Sequence, residues 1–390
     1  MEDNRSVTDN GGNSRERRLV EALGLLVGWK APRFRTFREN VGPITDWFDG
    51  PPPDVDDELY RFLTKTQRRT LRDVHDQGAA EILERVDGWT GQILVFDDEL
   101  RDTGLGDISK PPAALHVVGD VNLLERPGLA VVGSRDIGVS TAAMARRILE
   151  YAISRGLHVI SGGARGADAV AHRAAVDGGG STVVVLPSGI HNPSPKGNRR
   201  LFGDVVDAGG LVVSEYPPQQ GVRAYHFKRR NSLIVGISRG VLALRAGQDS
   251  GTMITVNAAR KLDRPRGAVP GNPDDPMAWG CLDILRHGGQ MIATGEDLVD
   301  WWTELAPEFV EKVDASSEPR QLQLDAAVAD CEILKEARQL VDSAGAFGVE
   351  ELARRTGTSA AELQTVLLEH ELSGIVERIA GGSRFRLVTH

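Results

Sequence analysis

LAVVGSRDIGVSTAAMARRILEYAISRGLHVISGGARGADAVAH, from Leu129 to His172, reads as strand, turn, helix, strand, turn, helix. The runs Leu129–Gly133 (LAVVG) and His158–Ser161 (HVIS) are almost wholly apolar and do not alternate, the pattern of strands buried on both faces. Each passes through a glycine-bearing turn into a helical segment, Ser140–Arg155 and Ala167–Asp177. The rhythm continues outward. Ser181–Leu186, Leu211–Ser214 and Gly240–Leu244 read as further strands, Asn198–Ala208 and Thr252–Leu262 as further helices, and Ala114–Gly119 as an extended lead-in after a linker-like stretch, Gly104–Pro112. Strands alternating with helices predict an α/β fold: a Rossmann-like, doubly wound, mostly parallel sheet. Ligands of such sheets bind at the carboxyl ends of the strands, so the informative residues should stand directly after each strand.

The first strand ends in Gly133-Ser134-Arg135-Asp136-Ile137-Gly138. A dinucleotide fingerprint requires glycine where Arg135 stands and an acidic residue about 20 positions on, where this chain has Ser161-Gly162. That disfavours NAD and leaves an anion turn, in which backbone N–H groups and a guanidinium face a phosphate. A tight turn with Arg135 in an internal ion pair is the plainer alternative. The second strand runs into Ser161-Gly162-Gly163-Ala164-Arg165-Gly166-Ala167-Asp168, a further nest of donors in which Arg165 and Asp168 are expected to pair. His172 falls on the following helix and reads as packing.

After the last strand comes Asp249-Ser250-Gly251-Thr252, with two hydroxyls and a glycine at a helix start. Before that strand lies His226-Phe227-Lys228-Arg229-Arg230-Asn231, where three cations beside an aromatic suit single-stranded nucleic acid, and where a solvated basic helix end is the simpler reading. Lys196, Asn198, Arg199 and Arg200 form another basic loop after the third strand.

The whole chain has 390 residues and a net charge of −9, which argues against a polyanion partner until its distribution is read. Between Arg126 and Gln290 stand 21 basic against 12 acidic residues, a net of +9, and the remainder carries −18. A basic middle between acidic flanks fits a polyanion-binding core. The two cysteines, Cys281 and Cys331, have no metal or redox spacing, so a reducing cytoplasmic setting without disulfides, metal or cofactor is expected. No apolar run reaches the roughly 20 residues of a membrane span, and the polar start lacks a signal peptide's apolar stretch.

Domain boundaries follow from shifts in pattern. Residues 1–14 read as disordered, 15–105 as a helical accessory domain, 106–306 as the Rossmann-like domain and 307–324 as a linker. The remainder, 325–390, reads as a winged helix: three helices, then a hairpin closed at Gly381-Gly382. Its third helix, Ser359–Ser373, carries Glu362, Glu369 and Glu371 without Lys or Arg, so duplex reading is not expected of it.

Together these segments resemble the DNA-processing family DprA, also called Smf, from about Pro111 to Ile292. The matching segments are Leu129–Arg135, Ser161–His172, Ser214–Pro218 (SEYPP), His226–Ser238 (HFKRRNSLIVGIS), Ser250–Thr255 (SGTMIT) and Val269–Gly271 (VPG). The C-terminal winged helix also resembles that of many members; the first hundred residues do not. The resemblance implies a non-enzymatic homodimer that binds single-stranded DNA and loads the RecA recombinase onto it in natural transformation. It puts DNA on Arg135, Gly162, Gly163, Arg165, Lys196, Ser250, Gly251 and Thr252, with Phe227, Lys228, Arg229, Arg230 and Asn231 nearby; the anion-turn reading adds Gly133 and Ser134. Two departures, Lys228 for a usual proline and Arg245 for a common glutamate, are expected to add positive charge. Two other readings stay open. One is a nucleotide-sensing domain of a defence or signalling system. The other is a nucleotide-cleaving hydrolase of the lysine-decarboxylase-like type, for which Glu215 is the single candidate acid at a strand end.

Overall fold

The computed structural model describes residues 11–52, 54, 60–96, 100, 102–307, 336–337, 339–340, 346–356, 363, 367, 376–379 and 384–387. Two compact units are distinguished, one holding the N-terminal helices together with the large sheet, the other centred on the C-terminal domain.

The large unit opens with α1 (Gly11–Leu26), α2 (Ala31–Val41), α3 (Ile44–Asp49) and α4 (Lys65–Asp87). Their apolar faces meet in a core of Leu19, Leu23, Trp29, Phe34, Phe37, Ile44, Trp47, Leu71 and Ile82. The Trp29 and Phe37 rings lie 4.8 Å apart. Glu16 on α1 accepts the N–H groups of Ile44 and Thr45, each at 2.8 Å, where a carboxylate complements the start of α3. A Thr64–Gln67 capping box opens α4.

The segment 15–105 is not helical throughout. Gln92–Val95 is a strand, β1, paired antiparallel to β2 (Ala114–Gly119) from Gln92↔Val117 to Val95↔Ala114. Leu25, Ile93 and Ala114 share one cluster, so the helices are built onto the sheet. A four-residue run is too short to show a period beside a long helix. Of the residues expected to be disordered, 11–14 begin α1; the first ten lie outside the described residues.

The parallel strands are β3 (Leu129–Val132), β4 (Val159–Ser161), β5 (Thr182–Leu186), β6 (Leu211–Ser214), β7 (Gly240–Ala243), β8 (Arg266–Ala268) and β9 (Gln290–Met291). Interleaved with them run α5 (Val139–Ile153), α6 (Ala167–Asp177), α7 (Arg199–Asp207), α8 (Ala224–Gly236), α9 (Gly251–Lys261), α10 (Trp279–Arg286) and α11 (Gly295–Leu305). The nine-stranded sheet has the order β1-β2-β6-β5-β4-β3-β7-β8-β9, with β2 antiparallel to β6. From β3 the chain builds to one side as far as β6, then returns to add β7, β8 and β9 on the other. The reversal between β3 and β7 is a topological switch point, where the strand ends open a crevice.

The smaller unit comprises β10 (Ala346–Gly348), α12 (Val349–Thr356), β11 (Val376–Arg378) and β12 (Arg384–Leu387), the strands ordered β10-β12-β11 and antiparallel. Phe347, Leu352, Leu363, Leu367, Val376 and Phe385 form its core, as a winged helix requires. The helix expected at Ser359–Ser373 lies outside the described residues apart from Leu363 and Leu367, as does the linker apart from Pro307. No described helix is long and apolar enough to cross a membrane.

Candidate nucleic-acid interface

Two glycine loops, after β3 and β4, meet beside the switch point. After β3, the Ser134 N–H donates to Arg245 O (2.8 Å) and its hydroxyl accepts from Asp136 N (3.1 Å), closing a tight turn. Gly133 is needed because a Cβ there would stand 2.6 Å from that of Ala167, at the start of α6. The Ala167 N–H in turn donates to Ser134 O at 3.1 Å, and Gly166 (φ +76°) lies against the Ser134 and Arg135 backbone. The loops after β3 and β4 are therefore locked together. Arg135 is exposed, and its guanidinium carbon lies 5.2 Å from the Phe227 ring centroid, within cation–π range. It makes no ion pair among the described residues, so the internal-pair alternative finds no partner there. Arg165 is exposed too.

Asp168 does not pair with Arg165. It faces Arg230 at 3.5 Å and accepts the Ala164 N–H at 3.1 Å. Arg230 lies beneath the second loop, 6% exposed, its guanidinium filling the place that a Cβ on Gly162 would take. The three consecutive cations therefore separate. Lys228 is exposed, Arg229 forks onto Glu215 (2.5 and 3.1 Å) and Arg230 is interior. Helical geometry requires this, because successive residues on α8 point about 100° apart. Asn231, next in line, is half-buried.

The Lys196 loop is fastened by a residue whose part the sequence reading missed. Asn198 Nδ2 donates to Gly163 O (2.9 Å) and Ala164 O (3.1 Å), joining a short helical turn, Lys196–Asn198, to the glycine loop. Nothing in the local pattern separates this asparagine from an ordinary loop residue. Lys196, Arg199 and Arg200 are exposed and make no ion pair among the described residues.

Arg245, expected to add positive charge, is instead a staple. Its guanidinium donates to Ile137 O (2.9 Å) and Asp275 (3.0 Å) and is neutralised there. Beyond it, Ser250 sits extended at the start of α9 with its hydroxyl buried and without a hydrogen-bond partner among the described residues, Gly251 is exposed, and Thr252 is buried.

Glu215, after β6, is 7% exposed. Burial alone would raise its carboxyl, but the Arg229 hydrogen bonds, the Lys30 ammonium (3.2 Å) and the Tyr216 hydroxyl (3.0 Å) hold it below the ordinary carboxylate range. His172 is fully buried against Thr182 Oγ1 (2.8 Å), as a packing residue is. Burial, with the Arg230 charge, pushes its imidazole down to about 3. No group of three or more metal-ligating side chains occurs among the described residues.

The sequence model of the family described as DNA recombination-mediator protein A matches residues 92–303, and that of the DprA winged helix domain matches 339–382. Protein Smf of Escherichia coli (strain K12) is 33% identical over 305 residues, 76% of this chain and 78% of the relative. The X-ray structure of DNA processing protein A from Streptococcus pneumoniae shares 27% identity with a TM-score of 0.59, over 73% of this chain and 96% of that one. A structure of DNA processing protein A from Helicobacter pylori, described by its single-stranded DNA binding mode, shares the fold at 23% identity with a TM-score of 0.50, over 55% of this chain and 97% of that one. The chain belongs to the DNA recombination-mediator protein A family, with that family's Rossmann-like domain and winged helix in one polypeptide.

Proposed function

We propose that this chain binds single-stranded DNA at the switch point between β3 and β7 and acts, without turnover, as a cytoplasmic recombination mediator. The carrying observation is the set of exposed cations Arg135, Arg165 and Lys196, which make no ion pair among the described residues and stand on loops cross-fastened by Ala167 and Asn198. Exposed cations and the Phe227 ring beside Arg135 supply what phosphates and bases require. Hand-over of the strand to RecA, and a homodimer, rest on family membership. A hydrolase needs a carboxylate within reach of its leaving group, and Glu215 is held by Arg229 and Lys30. That geometry favours binding over cleavage.

Arg135→Ala and Lys196→Ala are each expected to weaken single-stranded DNA binding at least tenfold, about 1.4 kcal/mol, with little change in melting temperature. In the wild type, the log–log salt slope is expected to be steeper than about −2, at about −0.7 per phosphate contact. Fluorescence anisotropy across a salt series measures both; a flat response, or tighter binding to duplex, rules the reading out. The winged helix is assigned a protein-facing or regulatory part. Deleting residues 321–390 should leave affinity within about threefold, under 1 kcal/mol, and a tenfold loss in the folded truncation would assign DNA contacts to the wing.

A further inference from the structure

Tyr225, in the first turn of α8, is 60% exposed, although aromatic rings are usually covered. Its ring is held from behind. It meets His226 edge-on (centroids 4.5 Å, 87°), and His226 stacks face-to-face on Tyr216 (3.9 Å, 19°). His226 is itself fixed by a hydrogen bond between Nδ1 and Pro187 O at 2.9 Å. Tyr225 is therefore a braced ring with a face free to solvent.

Its surroundings are cationic. Arg223, Lys228 and Lys110 are exposed, and the Lys110 carbonyl accepts from Arg229 at 3.1 Å, which places that loop beside α8. The nearby carboxylate, Glu215, is buried and already answered by Arg229 and Lys30, so it offers the solution little negative charge. Tyr225 and Phe227 are two residues apart, about 200° around the helix axis. One ring lies beside Arg135 and the other across the first turn of α8.

We propose that Tyr225 is a base-stacking station of the DNA path, set across the first turn of α8 from the Arg135–Phe227 pair, with Arg223, Lys228 and Lys110 taking flanking phosphates. The inference rests on the single-stranded DNA reading above and extends the strand beyond the glycine loops. An aromatic face braced by other rings and flanked by cations is the chemistry that accepts unpaired bases without regard to sequence.

The test measures oligo-dT binding to full-length wild type, Tyr225→Ala and Tyr225→Trp over a salt series. Tyr225→Ala is expected to lose at least about fivefold in affinity with an unchanged salt slope, because a stacked base releases no counterion. Tyr225→Trp should keep its affinity and show fluorescence quenching on binding in excess of wild type. Wild type that fails to bind overturns the DNA reading itself. Wild type that binds while Tyr225→Ala is unimpaired, or while Tyr225→Trp shows no added quenching, overturns only the station. If sedimentation shows that Tyr225→Ala weakens self-association and leaves DNA affinity intact, the ring belongs to an interface between copies and the proposal fails.

Discussion

Asp168→Ala is expected to destabilise the folded protein by about 3–5 kcal/mol, because it leaves the Arg230 guanidinium buried without a countercharge. The Arg230 and Asp168 side chains are only 7% and 9% exposed, and among the described residues Arg230 Nε and Nη1 find no hydrogen-bond partner. Their 3.5 Å approach is thus an ion pair without hydrogen-bond geometry, and removing the carboxylate removes the main compensation. At about 2–4 °C per kcal/mol for a domain of this size, the midpoint should fall by roughly 10 °C. Replacing both partners, as in Asp168→Ala with Arg230→Met, should recover much of the loss, since an apolar pair avoids desolvation altogether. Calorimetry on the two variants checks this. An unchanged midpoint in the single variant would show that Arg230 escapes to solvent. The contrast with Arg135→Ala, expected to spare stability and lose binding, separates the support of the loop from its working surface.

A second large effect is expected from acid. Burial holds the imidazoles of His158 and His172 down to about 4 and about 3; the Arg126 charge adds to this for His158 and the Arg230 charge for His172. In the unfolded chain both titrate near 6.5. Between 6.5 and the folded values the unfolded state binds protons that the native state refuses, so stability rises with pH across that window. Their contribution is complete above about pH 7 and is lost progressively below 6.5. At pH 5 each group costs about 2 kcal/mol, or roughly 4 kcal/mol for the pair. Urea unfolding at pH 7.5 and pH 5 should show that drop. His172→Gln, which cannot titrate, should show about half of it. A midpoint indifferent to pH would mean that both rings become protonated inside the fold.

Strands β3 to β7 were legible because strands covered on both faces become unbroken runs such as LAVV and TVVVL. Strands β8 and β9, of three and two residues, fall below any readable period, and β1 stood too close to α4 to be separated from it. The loops were legible for a related reason. Gly133 and Gly162 mark the tight turns that end β3 and β4, and Arg135 and Arg165 stand exposed in those turns, whereas Arg245 after β7 shows that an arginine in such a place can equally be a structural staple. Pairing was not legible. The partner of Asp168 is Arg230 and not the nearby Arg165, because a tertiary contact is set by how α8 lies across the strand ends. The run Lys228-Arg229-Arg230 looked like one patch because a linear sequence hides the turn of a helix.

The antiparallel edge of the sheet bears on how this protein can be divided. Strand β2 has β6 on one side and β1 on the other, and β1 lies within the segment that the sequence pattern assigned to a helical accessory domain. A fragment cut at residue 106 would leave the N–H and C=O row of β2 facing water, an open template for strands of other molecules. It would also lose the Lys30 ammonium that helps neutralise buried Glu215. For anyone expressing pieces of this chain, the usable seam is therefore not where the helices give way to the sheet. The helices and the sheet have to be produced together.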